Sequence, residues 1–300
     1  MPQISLVIPA YNEAESLPDL LENIEATIKT HGYAAEVIFI NDGSTDATAE
    51  VLNKLASESL LCVHVIDFKN NRGKAEALTA GFQKAIGDIV ITMDADLQDD
   101  PNEIPKLLDT FHNNGYDVVS GWKFPRKDSL EKRFISFIFN RVTSLLTGIK
   151  LHDINSGFKA YRAEVAKKLN LYGDLNQYIP IWVSAEGFSV GEVKVKHHPR
   201  RFGKSKYGFK RIPKGFFDLL TVLFLTRYKK RPMHFFAGIG SLFAFTGFVL
   251  LAGREALYFF PIIERHGTTF GIAGGLCILT GLLLAAMGLL GELIIALSKE

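Results

Sequence analysis

Cysteine is scarce in this chain: 300 residues contain only two, Cys62 and Cys277. They supply neither a disulfide framework nor a cysteine-built metal cluster, which fits a reducing compartment. The opening MPQISLVIPAYNE lacks a basic segment followed by a long apolar core, so no secretory signal peptide is expected. After the first apolar run the chain reads PAYNEAES, without the glycine-rich turn that a dinucleotide oxidoreductase would need. Net charge is small as well, at +2, but the balance hides an asymmetry. Lys196 to Arg231 holds twelve of the 34 Lys and Arg and one acid, Asp218, so that segment is about +11 and the remainder about −9. A content of 47% hydrophobic residues is enough core for one large domain plus something smaller.

Up to about residue 120, short apolar runs alternate with amphipathic stretches. Ile4 to Ile8, Val37 to Ile40, Val63 to Ile66 and Ile89 to Met93 read as strands. Leu17 to Lys29 carries apolar residues at 17, 20, 21, 24 and 28, the spacing of a helix with one buried stripe. The alternation implies an α/β fold, a mainly parallel sheet with helices on both faces. Every strand exit is polar: Tyr11-Asn12-Glu13, Asn41-Asp42-Gly43-Ser44, Asn71-Arg72-Gly73-Lys74, then an aspartate cluster. Exits furnished in this way are expected to face one cleft.

The fourth exit is the most informative. The β-branched run Ile89 to Thr92 leads into Asp94, Asp96, Asp99 and Asp100, delivering carboxylates to the sheet edge where open α/β sheets bind ligands. Asp94 and Asp96 flank the small Ala95, and two hard oxygen donors this close suit Mg²⁺ or Mn²⁺ carrying a diphosphate. Taken alone, D-x-D also reads as a solvated acidic turn capping a helix that starts near Pro101.

Further on the pattern turns toward membranes. In Ser129 to Thr147, Phe134, Ile138, Val142 and Leu145 recur at helical spacing with Lys132, Arg133 and Arg141 on or near the flanks. Gly215 to Leu225 is a second apolar stretch, bracketed by Lys210, Arg211 and Lys214 and by Arg227, Lys229, Lys230 and Arg231, and too short to span a bilayer. Both are expected as interfacial amphipathic helices, near 129–147 and 209–227, the alternative being core helices. His234 to Gly253 and Phe270 to Gly291 carry no Asp, Glu, Lys or Arg and predict two transmembrane helices, joined by a polar loop containing Arg254, Glu255, Glu264 and Arg265. The basic cluster Arg227 to Arg231 places the start of the first helix in the cytoplasm, so a cytosolic domain 1–231, a membrane domain 232–300 and two cytosolic chain ends are expected. Gly271 and Gly275 form a small-xxx-small pair, a helix-packing face open to use in a homo-oligomer. Glu292 is expected in an interfacial or intersubunit hydrogen bond.

Six stretches occur in order: VIPAYNE (Val7 to Glu13), INDGSTD (Ile40 to Asp46), NRGKAEAL (Asn71 to Leu78), DADLQDDP (Asp94 to Pro101), DINSGFKAYR (Asp153 to Arg162) and RRFGKSKYGFKRI (Arg200 to Ile212). Together they resemble the membrane-associated inverting glycosyltransferases of family 2 that make polyprenyl-phosphate sugars. That is the group of dolichol-phosphate mannose synthase and the bacterial undecaprenyl-phosphate glycosyltransferases. The resemblance runs over nearly the whole chain. It implies a GT-A (Rossmann-like) fold and an enzyme that moves a hexosyl group from a UDP- or GDP-linked sugar to dolichyl or undecaprenyl phosphate at the cytosolic membrane face, with Mg²⁺ or Mn²⁺. Membrane lipids are implied as partners and nucleic acid is not.

The same resemblance implies roles for single residues. Pro9, Tyr11, Glu13 and Asp42 match the base and ribose pocket, with Lys74, Asp94, Ala95 and Asp96 also on the donor nucleotide. Asn41 departs from the Asp more usual in the family, and Lys74 also reads as an exposed helix lysine. Asp94, Asp96 and Gln98 match the metal and diphosphate site, with Asp96 the direct ligand. Asp153 takes the place of an acid that is readable as a base, an acceptor orienter or part of a structural turn. Lys123, Lys132, Arg133, Ser136, Arg201, Lys204 and Lys206 match residues that bind the acceptor phosphate or sit on a mobile loop, which Gly203 and Gly208 would let close over donor. A phosphomonoester with its second pKa at about 6 is largely ionised near neutral pH, so no strong base is needed to activate it. Two rivals remain. A processive polysaccharide synthase usually carries Gln-x-x-Arg-Trp, whereas here Trp122 follows Gly121, Trp182 follows Ile181, and two terminal helices are too few for a channel. An inactive membrane scaffold of the same fold is the other, and the intact carboxylates speak against it.

Overall fold

The structure, a computed structural model, describes residues 3–125, 130–202, 212–258 and 267–298; at 130–135, 212–214, 216, 257–258 and 267 it describes the main chain alone. The chain divides into two compact units, Met1–Val222 and Leu223–Glu300.

In the first unit a seven-stranded sheet runs in the order β3-β2-β1-β4-β6-β5-β7. Its strands are β1 (Ile4–Ala10), β2 (Ala35–Asn41), β3 (Cys62–Asp67), β4 (Ile89–Thr92), β5 (Val118–Lys123), β6 (Lys159–Arg162) and β7 (Val190–Val195). All pairings are parallel except those of β6, which runs antiparallel to both β4 and β5. Period-2 alternation splits the core between the sheet's two faces. Ile4, Leu6, Ile8, Phe39 and Ile91 pack on one side, and Val7, Ile38, Ile40 and Val90 on the other. Helices α1 (Leu17–His31), α2 (Thr48–Glu58), α3 (Lys74–Lys84) and α4 (Ile104–Asn114) follow the first four strands in turn. Local chemistry sets their ends. Proline lies in the first turn of α1 and of α4, and Gly32 (φ 67°) and Gly115 (φ 63°) close them in the left-handed conformation. The first four strands and α1 thus follow the sequence reading closely, and the parallel sheet covered on both faces is the one expected.

Helix α5 (Leu130–Thr147) leaves Phe137 and Leu145 largely exposed, at 66% and 83%, and also exposes Ile138 and Val142. Asn140 and Thr143 of the same helix are buried, so it packs on one side and leaves an apolar stripe facing outward. Two short helices follow, α6 (Ala163–Lys168) and α7 (Ile179–Ala185). Helix α8 (Ile212–Leu223) is two-faced, with Phe217 exposed and Leu219 and Val222 buried. The hydroxyl of buried Tyr178 donates to the Gly215 carbonyl at 2.8 Å.

The second unit holds α9 (Pro232–Tyr258) and α10 (Gly267–Leu297), both long and apolar enough to cross a membrane. Only 11% of the most apolar window of each is buried, unlike the core helices of a soluble protein. Two sequence expectations need correction here. Arg254 and Glu255 belong to α9 and not to a loop, because Arg, Glu, Ala and Leu are good helix formers and the single Gly253, at a cost of about 1 kcal/mol, does not end the helix; Glu264 and Arg265 lie outside the described residues. The seam between the helices does not use the Gly271 and Gly275 pair. A Cβ at Gly240, Gly247, Gly274 or Gly281 would come within 3 Å of the facing backbone carbonyl, whereas Gly275 faces open space and Gly271 meets only the Arg254 side chain. Gly240 with Gly247 and Gly274 with Gly281, seven apart, lie on the faces that meet, whereas Gly271 and Gly275 share a different face of α10.

Candidate active site

The C-terminal edges of β1 to β4 are stitched into a ring by side chains. Asn12, at φ 55°, accepts from the Thr45 amide at 2.8 Å and its own amide donates to Ser44 Oγ, tying the β1 exit to the β2 exit. Asp42 closes the next link. Its carboxylate accepts from the amides of Arg72 (2.7 Å) and Gly73 (3.0 Å), pinning the loop that starts α3. Gly43 is obligatory in this turn: its φ is +66°, and a Cβ there would lie 2.3 Å from the Asn70 carbonyl carbon. Lys74, first residue of α3, then forms an ion pair with Asp94 at the β4 exit. Arg200 completes the circle by pairing with Asp96 at 2.5 Å and approaching Glu13 at 3.7 Å. Backbone pairing brings it there: Asp99 bridges His197, and the His198 amide donates to Gln98 O at 2.9 Å.

Asp100, not the D-x-D pair, caps the helical turn at Pro101, accepting from the Asn102 amide at 3.0 Å. The capping alternative for Asp94 and Asp96 therefore falls. Leu97 at φ 60° is an uncommon backbone for a branched residue, and the turn bends there so that Asp96 and Asp99 are buried.

Charges are dense around this turn. Burial works against an ionised Asp94, but Lys74, Lys123 and Lys159 outweigh it and hold the carboxyl down at about 2. Asp96 moves the other way, raised by burial and by the charge of Asp94 despite Arg200. Lys123 keeps its proton more tightly than usual: burial opposes the charge, but Asp99, 2.8 Å away, and Asp94 prevail. Buried Lys159 is drawn down to about 7 by desolvation and by Lys74, against Asp153 and Asp94. Its ammonium donates to Ser156 O.

Residues 5–169, more than half of the chain, match Glycosyl transferase family 2. The chain belongs to that family. Among curated relatives, a dodecaprenyl-phosphate galacturonate synthase of Rhizobium johnstonii is 38% identical over 79% of this chain and 71% of its own length. An undecaprenyl-phosphate 4-deoxy-4-formamido-L-arabinose transferase of Pectobacterium atrosepticum is 37% identical over 97% of this chain and 88% of its own. Among solved structures, glucosyl-3-phosphoglycerate synthase from Mycobacterium tuberculosis, in complex with Mn²⁺ and UDP-glucose, superposes with a TM-score of 0.59 at 19% identity, over 75% of this chain and 79% of that one. That likeness establishes a GT-A fold.

The donor set of this family 2 glycosyltransferase fits a divalent cation that brings part of its own shell. No three His, Cys, Asp or Glu among the described residues form a metal cluster unaided, so Asp94 and Asp96 would share the ion with phosphate and water oxygens. The crowding of carboxylates that raises Asp96 is the strain such an ion would relieve. Gln98 lies beside them, its amide donating to Asp96 Oδ1 at 3.1 Å while its side chain reaches His198 O at 3.4 Å. Ala95 is buried between the two aspartates, and Pro9, Tyr11 and Glu13 sit at the β1 exit, partly buried. Asn41 donates to Asp67 at 2.8 Å.

On the acceptor side the placement is mixed. Asp153 is buried, and Ser136 is half-buried on α5. Lys123 is enclosed in the aspartate cluster, since the alternation of β5 turns it away from the side of Trp122. Arg201 is 67% exposed and 3.9 Å from Asp19 of α1, while its neighbour Arg200 holds Asp96. The side chains of Lys132 and Arg133, and all of Gly203, Lys204, Lys206 and Gly208, lie outside the described residues.

Sequence reasoning counted Asp99 only as one of the acidic cluster and gave no role to Gly157, Lys159 or Arg200. Gly157 is the most telling, because a Cβ there would fall 2.5 Å from Asp94 Oδ2. The S-G-F-K stretch was visible as a motif, but nothing local says that its glycine backs a carboxylate 63 residues earlier.

Proposed function

We propose that this glycosyltransferase moves a glycosyl group from a nucleoside-diphosphate sugar to a polyprenyl phosphate at the cytosolic face of a membrane. The observation that carries this reading is the stitched edge, where Asp94 and Asp96 lie within one ring with Lys74, Arg200 and Glu13. Both curated relatives named above are polyprenyl-phosphate sugar transferases by description, and the exposed apolar stripe of α5 with two span-length helices suits a lipid acceptor. The basic cluster Arg227 to Arg231 ahead of α9 orients the catalytic unit toward the cytosol.

In this mechanism an oxygen of the lipid phosphate attacks the anomeric carbon, the bond to the nucleoside diphosphate breaks, and the configuration inverts. Asp94 and Asp96, with Gln98 beside them, would hold Mg²⁺ or Mn²⁺, which would supply positive charge to neutralise the departing diphosphate. Lys74 and Arg200, at the same edge, supply cations that can pair with diphosphate oxygens of the donor. Asp42 keeps the Arg72–Gly73 loop in register, and Tyr11 and Glu13 receive the nucleoside. Asp153 orients the acceptor phosphate.

The test offers the purified protein, with Mg²⁺ or Mn²⁺, a panel of nucleotide sugars together with undecaprenyl or dolichyl phosphate, and reads lipid-linked product by mass. One donor is expected to give product, and Asp96→Ala is expected to abolish it while the protein stays folded. Absence of product across the panel, or an undiminished rate in the variant, refutes the reading.

A further inference from the structure

Asp153 is buried, yet it stands in a turn without regular secondary structure, and something must hold it. Glu192 of β7 does so. One of its carboxylate oxygens accepts from both the His152 and Asp153 amides, each at 2.9 Å, and the other lies 2.8 Å from His152 Nδ1. Asn140 of α5 also donates to the His152 carbonyl, at 2.7 Å. The His152 ring is stacked flat on Trp122 of β5, with centroids 3.9 Å apart and planes within 9°. Lys194 of β7 sits over the indole at 4.8 Å.

Strand register explains why these groups meet. Parallel pairing sets Ser120 opposite Glu192 and Trp122 opposite Lys194, and residues two apart share a face. One face of the β5–β7 pair thus presents a carboxylate followed by an aromatic–cation platform, and the 152–153 turn is laid across both. A glutamate with 11% side-chain exposure that accepts from two successive amides is an anchor for the turn, because breaking it leaves the part-buried Asp153 amide unpaired.

We propose that Glu192 is a positioning residue for the acceptor step: through the His152 and Asp153 amides it sets where the Asp153 carboxylate points, and through Asn140 the same turn is coupled to α5. The proposal rests on the reading of Asp153 as the group that orients the lipid phosphate.

The test compares Glu192→Ala, Glu192→Gln and Asp153→Asn, singly and with Glu192→Ala combined with Asp153→Asn, in full-length protein. Transfer to polyprenyl phosphate and donor affinity are measured in parallel. A displacement of the turn by about 1 Å costs roughly 100-fold in kcat. Glu192→Ala is therefore expected to lose about that much transfer with donor KM and Mn²⁺ affinity unchanged. Glu192→Gln, which keeps an oxygen for the two amides, is expected to recover most of it. In the Asp153→Asn background, Glu192→Ala is expected to add nothing, since its effect runs through Asp153. The proposal is overturned if Glu192→Ala is silent, if it raises donor KM as much as it lowers transfer, or if the two losses multiply. A different failure sinks the parent reading: Asp153→Asn with full transfer removes the role of Asp153, and wild-type protein without lipid-linked product removes the reaction itself.

Discussion

Replacing Gly157 by alanine tests the geometry of the sheet edge with a single methyl group. Its backbone is not in the left-handed region, so the cost is one of space. The new Cβ would lie 2.5 Å from Asp94 Oδ2 and 2.8 Å from Asp94 Cγ, where ordinary contacts begin at 3.4 Å. The glycine cannot move away easily, because Thr92 Oγ1 donates to its carbonyl at 2.7 Å and β6 follows directly. Asp94 must therefore give way by about 1 Å, which loosens its ion pair with Lys74. That pair is partly exposed, each side chain at 29%, so its loss costs up to about 1 kcal/mol of stability. Function is expected to suffer far more: a metal-bearing carboxylate displaced that far loses roughly 100-fold in kcat, about 2.7 kcal/mol of transition-state stabilisation. Mn²⁺ binding followed by electron paramagnetic resonance should weaken in parallel, with thermal unfolding nearly unchanged. A folded Gly157→Ala protein with wild-type Mn²⁺ affinity and wild-type kcat refutes the claim that Gly157 makes room for Asp94.

The two charge and packing features described above lead to further expectations. Asp94 has its folded pKa lowered from 3.8 to about 2, so its ionised form stabilises the fold above about pH 4, and that contribution drains away as pH falls toward 2. Asp94→Asn is expected to be less stable than wild type at neutral pH by on the order of 2 kcal/mol, with the gap closing between pH 4 and 2; chemical denaturation at stepped pH measures it, and a constant gap contradicts the assignment. In the second unit, Gly281→Leu would drive its Cβ to 2.5 Å from the Gly240 carbonyl and should destabilise the α9–α10 pair in detergent, whereas Gly275→Leu, facing open space, should leave the melting temperature of that pair unchanged.

Much of the fold was legible because its signals are local. Short continuous apolar runs, as expected of strands buried on both faces, marked β1 to β4 to within two residues at their starts, and the stripe at 17, 20, 21, 24 and 28 marked α1. The later strands were not foreseen. Lys159–Arg162 reads as a polar tetrapeptide, and only its place between β4 and β5 makes it a strand. The glycine seam failed for a related reason: small residues at i and i+4 show that a close approach is allowed, while the direction of approach depends on how α9 and α10 turn their faces to each other.

By itself the sequence determined that a parallel sheet would end in carboxylates, that basic residues would flank two apolar helical stretches, and that two segments were long enough to cross a bilayer. Each follows from neighbours in the chain. Tertiary structure alone decided which cation meets which carboxylate. Arg200 reaches Asp96 across 104 positions of sequence, and its exposed neighbour Arg201 does not. It also decided that Lys123 turns inward and that Gly157 yields its side-chain space to Asp94. Charge and steric contact depend on distance in space, and residue spacing along the chain does not encode that distance.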